Sequence, residues 1–469
     1  MKEITSPYLD IFDEPIVDNS IEEFEYDEIK ENINDIDKEG LRTLETRAVD
    51  VYYLPHKAFL EVRGKLVKAD GTNYAVNDAV TLVNNGWSLF HSATYKIEGQ
   101  TVEDISLYLP QASTIMNLVT FSDDYSRSTA TNMLWYKDTN TGAAIANEFT
   151  TATTLLPVAT VANADQITGA HFRGIDFANS FRQAGYNQGF AARRLITITG
   201  NQICLFLPLS TIFGFCRDIN TVFLGVKHTV LLNRSIPNNH VFHGAGVDDG
   251  KFVFTGLSLW MPIVKPSIKY LQTIEEGLIS GDKKHLYFEQ MRVYKEQFNA
   301  TQRANQTWRI TTNQGSELPR HIFIAFQSTA QDDNQISNNM IFNNAGLQEI
   351  QVKVNNRRYP ERELECDFNP ATRNYSRAYT MFLEAANKYQ NTNTGTQISA
   401  EEFATLYPVF HFDVSKHSER LMTGSVDIQA TWTLQANFPG GLPYNAYAVI
   451  LSDRYLTLNP INGKTNIIV

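Results

Sequence analysis

The stretch RRLITITGNQICLFLPLSTIFGFCRDINTVFLGVKHTVLLNRS, from Arg193 to Ser235, is the densest run of strand-forming residues in the chain, and its reading decides the fold. From Leu195 to Thr199 apolar and hydroxyl side chains alternate, which predicts a strand. Ile203 to Leu209 is almost continuously apolar, as expected of a strand buried on both faces. After Arg217-Asp218-Ile219-Asn220, which reads as a turn, Val222, Leu224, Val226, His228, Val230 and Leu232 fall on one face of a long strand. Antiparallel strands joined by an apolar crossing segment need a second sheet to cover them, so a sandwich is expected.

Working outward, the segment before Val49 differs in charge. Residues 1–40 hold fourteen Asp and Glu against three Lys, leaving 37 residues of each sign for the remainder. A neutral body without a basic stripe argues against direct nucleic-acid binding, whose affinity comes chiefly from neutralising phosphates. Residues 1–47 read as an acidic N-terminal arm; within it Ser20-Ile21-Glu22-Glu23 fits a capping box, and Ile29, Ile33 and Ile36 give a narrow helical seam on an otherwise solvated tail.

Residues 48–266 read as a first unit of strands, including Phe59 to Val67 and Phe252 to Pro262, with a helix from Leu109 to Thr120 whose first turn takes Pro110. A long polar insertion occupies about 123–192, and Pro262 and Pro266 close the unit. A linker, 267–285, leads to a second unit, 286–469, with a helical insertion around 373–407 and a capping box at Ser399-Ala400-Glu401-Glu402. In Val426, Ile428, Ala430, Trp432 and Leu434 the two-residue period is unbroken, which predicts a strand with one apolar face.

The search for chemistry returns little. GxxxxGK[ST], HExxH and GxSxG do not occur. His240 and His243 with Asp248 and Asp249 could be drawn as a metal site, but their Gly- and Asn-rich setting reads better as a solvated loop. Lys283-Lys284 and Arg357-Arg358 read as solvated charge, and Cys204, Cys216 and Cys366 as buried reduced thiols. The beginning MKEITSPYLDIFDE holds no signal-peptide core, and no apolar run approaches the ~20 residues that span a bilayer, so a soluble intracellular product is expected. No residue is nominated as catalytic, cofactor-binding or metal-ligating, and no cofactor is expected.

The order of signals resembles that of double-jelly-roll major capsid proteins of the Polinton/Maverick, adintovirus and virophage kind. In the first half the resemblance rests on Asn85 to Gly99, a strand ending in an Ile-Glu-Gly reverse turn, and on Arg193 to Ser235. In the second it rests on Leu318 to Phe326, Asn343 to Asn355, Tyr359-Pro360, Cys366-Asp367-Phe368, Ala378-Tyr379 and Phe412-Asp413-Val414. It implies an all-β fold with minor helices, two eight-stranded antiparallel jelly rolls in tandem. It implies a non-enzymatic major capsid protein of a double-stranded DNA virus: a homotrimer forming a pseudo-hexagonal capsomer that tiles an icosahedral shell with neighbouring capsomers, penton and minor capsid proteins. No sequence-specific nucleic-acid contact is implied, and contact with an internal membrane is left open. The expected location is the virion capsid, assembled inside the host cell, in nucleus or cytoplasm. A jelly-roll scaffold protein that templates virion assembly and a carbohydrate-binding or adhesive β-sandwich are the alternatives.

Overall fold

The computed structural model describes residues 19–31, 40–47, 51–75, 78–141, 187–197, 201–234, 240–244, 249–281, 283–299, 305–311, 318–332, 334–369, 371–390, 395–416, 426–435, 439–461 and 464–468. Among the described residues the first half holds the strands β1 (Ile21–Lys30), β2 (Leu41–Glu45), β3 (Tyr52–Tyr53), β4 (Phe59–Lys68), β5 (Val80–Leu82), β6 (Ser92–Ile97), β7 (Gln100–Ile105), β8 (Ile203–Pro208), β9 (Phe223–Leu224), β10 (His228–Asn233), β11 (Phe242–Gly244) and β12 (Gly250–Pro266). The second half holds, among the described residues, β13 (Lys284–Phe298), β14 (Gln306–Thr311), β15 (Leu318–Ser328), β16 (Leu347–Val354), β17 (Arg357–Glu365), β18 (Val409–Asp413), β19 (Asp427–Leu434), β20 (Tyr444–Ile461) and β21 (Lys464–Ile468).

In the first half β1-β12-β4-β8 pair side by side in one sheet and β2-β10-β6-β7 in the other. The second half has β13-β20-β15-β18 facing β14-β19-β16-β17. Counting only these strands, each half lays out its first, eighth, third and sixth in one sheet and its second, seventh, fourth and fifth in the other. That order is two nested Greek keys, a jelly roll, and it occurs twice. The remaining strands are accessories: β3 lies in line with β4 against β12 and carries β9, β11 pairs β5, and β21 folds back on β20. One apolar core runs through both sandwiches, with Trp87, Tyr95 and Phe213 fully buried in the first and Phe323, Phe410 and Trp432 in the second.

Several local expectations change. The segment Ile21–Lys30 is a strand, not a capped helix, because β12 supplies an antiparallel partner from Ser258 to Pro266 and Ile29 reaches the core. Residues 1–47 are therefore not an arm apart from the sandwiches: β1 and β2 are the first two strands of the first jelly roll. Ile33, Ile36 and residues 1–18 lie outside the described residues. Residues Gln188–Thr197 form a helix where a strand was expected from Leu195, since Ala191, Ala192, Arg193 and Arg194 are good helix formers and both arginines are buried against partners. Thr199, Gly200 and most of the insertion, 142–186, are outside the described residues.

The run from Val222 to Leu232 is two short strands in different sheets. Gly225 at φ 61° turns the chain between β9 and β10, so the alternation survives a corner that no single strand could make. The linker contains a helix, Ile268–Ile279, and β12 passes through Pro262 to Pro266 before ending. The helices Leu109–Thr120, Ser376–Tyr389 and Ala400–Thr405 lie where the sequence places them, the last with its capping box formed between Ser399 and Glu402.

Candidate functional site: the seam and the outer faces

Residue types that could do chemistry gather at the seam between the two jelly rolls. Glu103 lies in β7, the edge strand of its sheet, where Val102 and Ile105 are buried and the carboxylate is buried with them, 1% exposed. Its Oε2 accepts from the Phe215 N–H at 3.1 Å and its Oε1 from the Met291 N–H at 3.0 Å, so one side chain ties the first sandwich to β13 of the second. Burial pushes this carboxyl up to about 7, against the pull of the backbone donors and of Arg217. The backbones are close enough here that a Cβ on Gly214 would collide with the Glu289 carbonyl oxygen. Phe215 meets Phe288 edge-on at 5.7 Å, and Tyr108 meets Tyr447 at 5.8 Å, which carries the apolar core across.

A second knot sits where 135–138 crosses to the second sandwich. Asp138 and Arg193 are fully buried and pair at 2.7 Å. Arg193 also donates to the carbonyls of Leu82 and Tyr136, while Asp138 accepts from Asn338 at 2.7 Å and its carbonyl from the Tyr407 hydroxyl at 2.9 Å. Nearby, Trp135 donates to Gln397 at 2.9 Å, Gln397 to the Asn117 carbonyl at 2.8 Å, and Lys137 pairs with Glu402 at 2.6 Å. Every polar group of the Asp138–Arg193 pair has a partner, the condition under which a buried ion pair is tolerated.

A third network runs along the seam from Asp218, which accepts from the Glu289 N–H at 3.0 Å, through Lys388 beside Glu289 at 3.3 Å to a histidine pair. His411 Nδ1 donates to the Met381 carbonyl, so its Nε2 accepts from His321 Nδ1 at 3.0 Å, and His321 Nε2 accepts from Lys388 at 2.7 Å. Every proton in that chain is assigned only if both imidazoles are neutral. Burial depresses both to about 4, with Lys388 adding to the effect on His321.

His240 and His243 do not sit in a solvated loop. His240 pairs with Asp332 at 3.1 Å, and His243 is buried with Nδ1 3.1 Å from the Gln335 carbonyl, so this connection is docked on the second sandwich. Asp248 lies outside the described residues. Among the described residues no group of three or more His, Cys, Asp and Glu could hold a metal ion, and no helix is long and apolar enough to cross a membrane. Lys283, Lys284, Arg357 and Arg358 are exposed, as expected; Cys216 and Cys366 are buried, but Cys204 is exposed on β8 beside Glu61. Glu103, Asp138 and the His321–His411 pair were not nominated from sequence. An acidic residue beside the apolar Val102 in β7 was the only local signal for Glu103, whose partners Phe215 and Met291 lie more than a hundred residues away, as Asn338 does from Asp138.

The outer face of the first sandwich carries an aromatic stripe across β1, β4, β8 and β12. Phe24, Tyr26, Phe59 and Phe206 follow one another at ring separations of 5.2 to 5.5 Å, with Trp260 stacked on Phe59 at 6.2 Å. The linker helix exposes Ile268 and Ile279, and Tyr287 and Tyr455 lie exposed on β13 and β20.

Comparison with known proteins follows the strand order. A model of the double jelly roll-like domain family matches residues 179–456. No curated protein matches the chain. Among solved structures, a chain of the Sputnik virophage covers 99% of this chain and 92% of its own at 10% identity and a TM-score of 0.55. The mavirus major capsid protein covers 99% and 95% at 11% identity and 0.52, and a chain of the PBCV-1 virus capsid 98% and 99% at 11% and 0.50. With the jelly-roll order present twice and the family model spanning more than half its length, the chain belongs to the double jelly roll-like domain family.

Proposed function

We propose that this chain is a major capsid protein that builds a viral shell and catalyses no reaction. The observation that carries the reading is that two complete jelly rolls are fastened side by side into one block by the bonds of Glu103 to Met291, of Asp138 to Asn338 and Tyr407, and of Asp218 to Glu289. A block of two similar sandwiches has the shape that three copies need to approximate a hexagon, with the strand-end loops free for the outer and inner surfaces of a shell. The likeness in fold to the mavirus major capsid protein over nearly the full length of both chains supports it. The first unit is taken to run from β1 to β12 and the second from β13 to β21, joined by the helix Ile268–Ile279.

In this reading the partners are two further copies in a homotrimer, neighbouring capsomers, and penton and minor capsid proteins; the location is the virion. Size-exclusion chromatography with light scattering should return three times the 53.1 kDa of the chain, and the protein should be abundant in purified mature particles. A monomer at micromolar concentration would remove the trimer; absence from mature particles would favour the scaffold alternative.

A further inference from the structure

The outer edge of β1 is an open strand, and its geometry shows which backbone groups it offers. The Leu54 N–H donates to the Pro262 carbonyl at 3.0 Å, so Pro262 turns its carbonyl toward β3. Residues alternate sides along a strand, so Pro262 and Val264 face β3 while Met261, Ile263 and Lys265 face β1. Their register partners Asp27, Glu25 and Glu23 therefore bond to β12, and Phe24, Tyr26 and Glu28 direct N–H and C=O away from it. The Glu31 N–H bonding to the Leu257 carbonyl at 3.0 Å continues the same alternation. Among the described residues no strand pairs with that outer edge. An open cleft of about 520 Å³ runs beside it, lined by Asp27, Glu28, Ile29, Lys30 and Arg47.

Charge says what this edge accepts. β1 carries Glu22, Glu23, Glu25, Asp27 and Glu28 against one lysine, Lys30. Lys265 stands within 4 Å of Glu22 and Glu23, and Lys30 pairs with Glu28; Glu25 and Asp27 have no cationic partner among the described residues. Two such edges brought together would set carboxylates against carboxylates, which opposes pairing with a second copy. A basic strand meets the opposite condition: its backbone completes the sheet and its ammonium or guanidinium groups lie beside Glu25 and Asp27. Phe24 and Tyr26, each 40% exposed, give its apolar side chains a surface on the outer face.

We propose that β1 is a docking edge for an extended, Lys- or Arg-rich segment of another polypeptide, which adds as a further strand to the first jelly roll. The inference goes beyond the capsid reading and does not depend on it, since the edge is complete in a single chain.

The test uses the full chain and a labelled ten-residue peptide alternating Lys and Val, followed by fluorescence anisotropy at low salt. Saturable binding is expected, weakening as salt rises. It should fall at least about tenfold in Glu25→Lys/Asp27→Lys, which removes the charge match. It should fall similarly in Tyr26→Pro, which deletes an outward N–H at a position where an edge strand tolerates proline, but not in Tyr26→Val. A version of the peptide N-methylated at alternate residues should bind at least about tenfold more weakly to the unaltered protein, and this arm needs no variant to fold. Equal binding of the methylated peptide, equal binding to Tyr26→Pro and Tyr26→Val, or no binding at any salt concentration would each overturn the proposal, as would dimerisation of the free chain through β1. None of these outcomes bears on whether the chain forms a shell.

Discussion

Trp432 is 2% exposed in β19, edge-on to Phe298 at 4.7 Å and Phe326 at 5.1 Å, while Thr431 beside it is only partly buried. Trp432→Asp should cost several kcal/mol, of the order of a domain's stability, and abolish soluble expression, whereas Thr431→Asp should not. Equal soluble yields would contradict the register. Glu103 gives a subtler prediction. Its carboxyl holds a proton up to about 7 in the fold against an ordinary 4.5 in the unfolded chain, so its contribution is complete below 4.5 and is lost as pH rises through 7. His228, His321 and His411, depressed to between about 3 and 4, act in the opposite sense: their neutral forms favour the fold above the ordinary 6.5, and that contribution is lost as pH falls through the depressed values. The readout is therefore the difference in Tm between the natural protein and Glu103→Gln, not either curve alone. The variant should be less stable in absolute terms, because an amide N–H₂ would face a backbone donor. It should nevertheless gain on the natural protein between pH 5 and 8, and parallel curves would mean that Glu103 does not titrate there.

Among elements, β1 and β2 set the sharpest expectation. They supply two of the eight strands of the first jelly roll, and β2 covers β10 with Leu44 fully buried. A chain beginning at residue 48 should therefore be insoluble or lack the cooperative unfolding of the full protein; a folded product with unchanged Tm would restore the idea of a detachable arm. Sequence reasoning misplaced this segment because Glu and Asp make up half of IEEFEYDEIK, and strand formation there depends on β12, some 230 residues onward. It likewise read one strand across Gly225, since alternation reports which face a side chain takes and not which sheet it belongs to. By contrast β19 was legible because Ile428, Ala430, Trp432 and Leu434 alternate without a break with polar residues. Helix Ser376–Tyr389 was legible because Tyr379, Phe382, Leu383 and Ala386 recur at helical intervals, although the residues it buries are Ala378, Phe382, Ala385 and Ala386. The seam was not legible: Glu103 and Asp138 are ordinary surface residues in any local window, and only the docking of the two sandwiches makes them interior.

At the scale of the whole molecule, the shared core and the seam should make the two jelly rolls unfold as one thermodynamic unit. The Asp138–Arg193 pair is the most sensitive point, because both side chains are fully excluded from water and their partners come from both sandwiches. Removing one member leaves a buried charge uncompensated, which costs about 3–5 kcal/mol, while replacing both by apolar groups of similar volume is often nearly neutral. Asp138→Leu should therefore lower Tm by several degrees in a single transition, and Asp138→Leu/Arg193→Met should recover much of the loss. Calorimetry of the natural protein should show one transition with calorimetric and van't Hoff enthalpies in agreement. Two separated transitions, with Asp138→Leu moving only one of them, would mean that the jelly rolls fold independently and that the seam merely docks them.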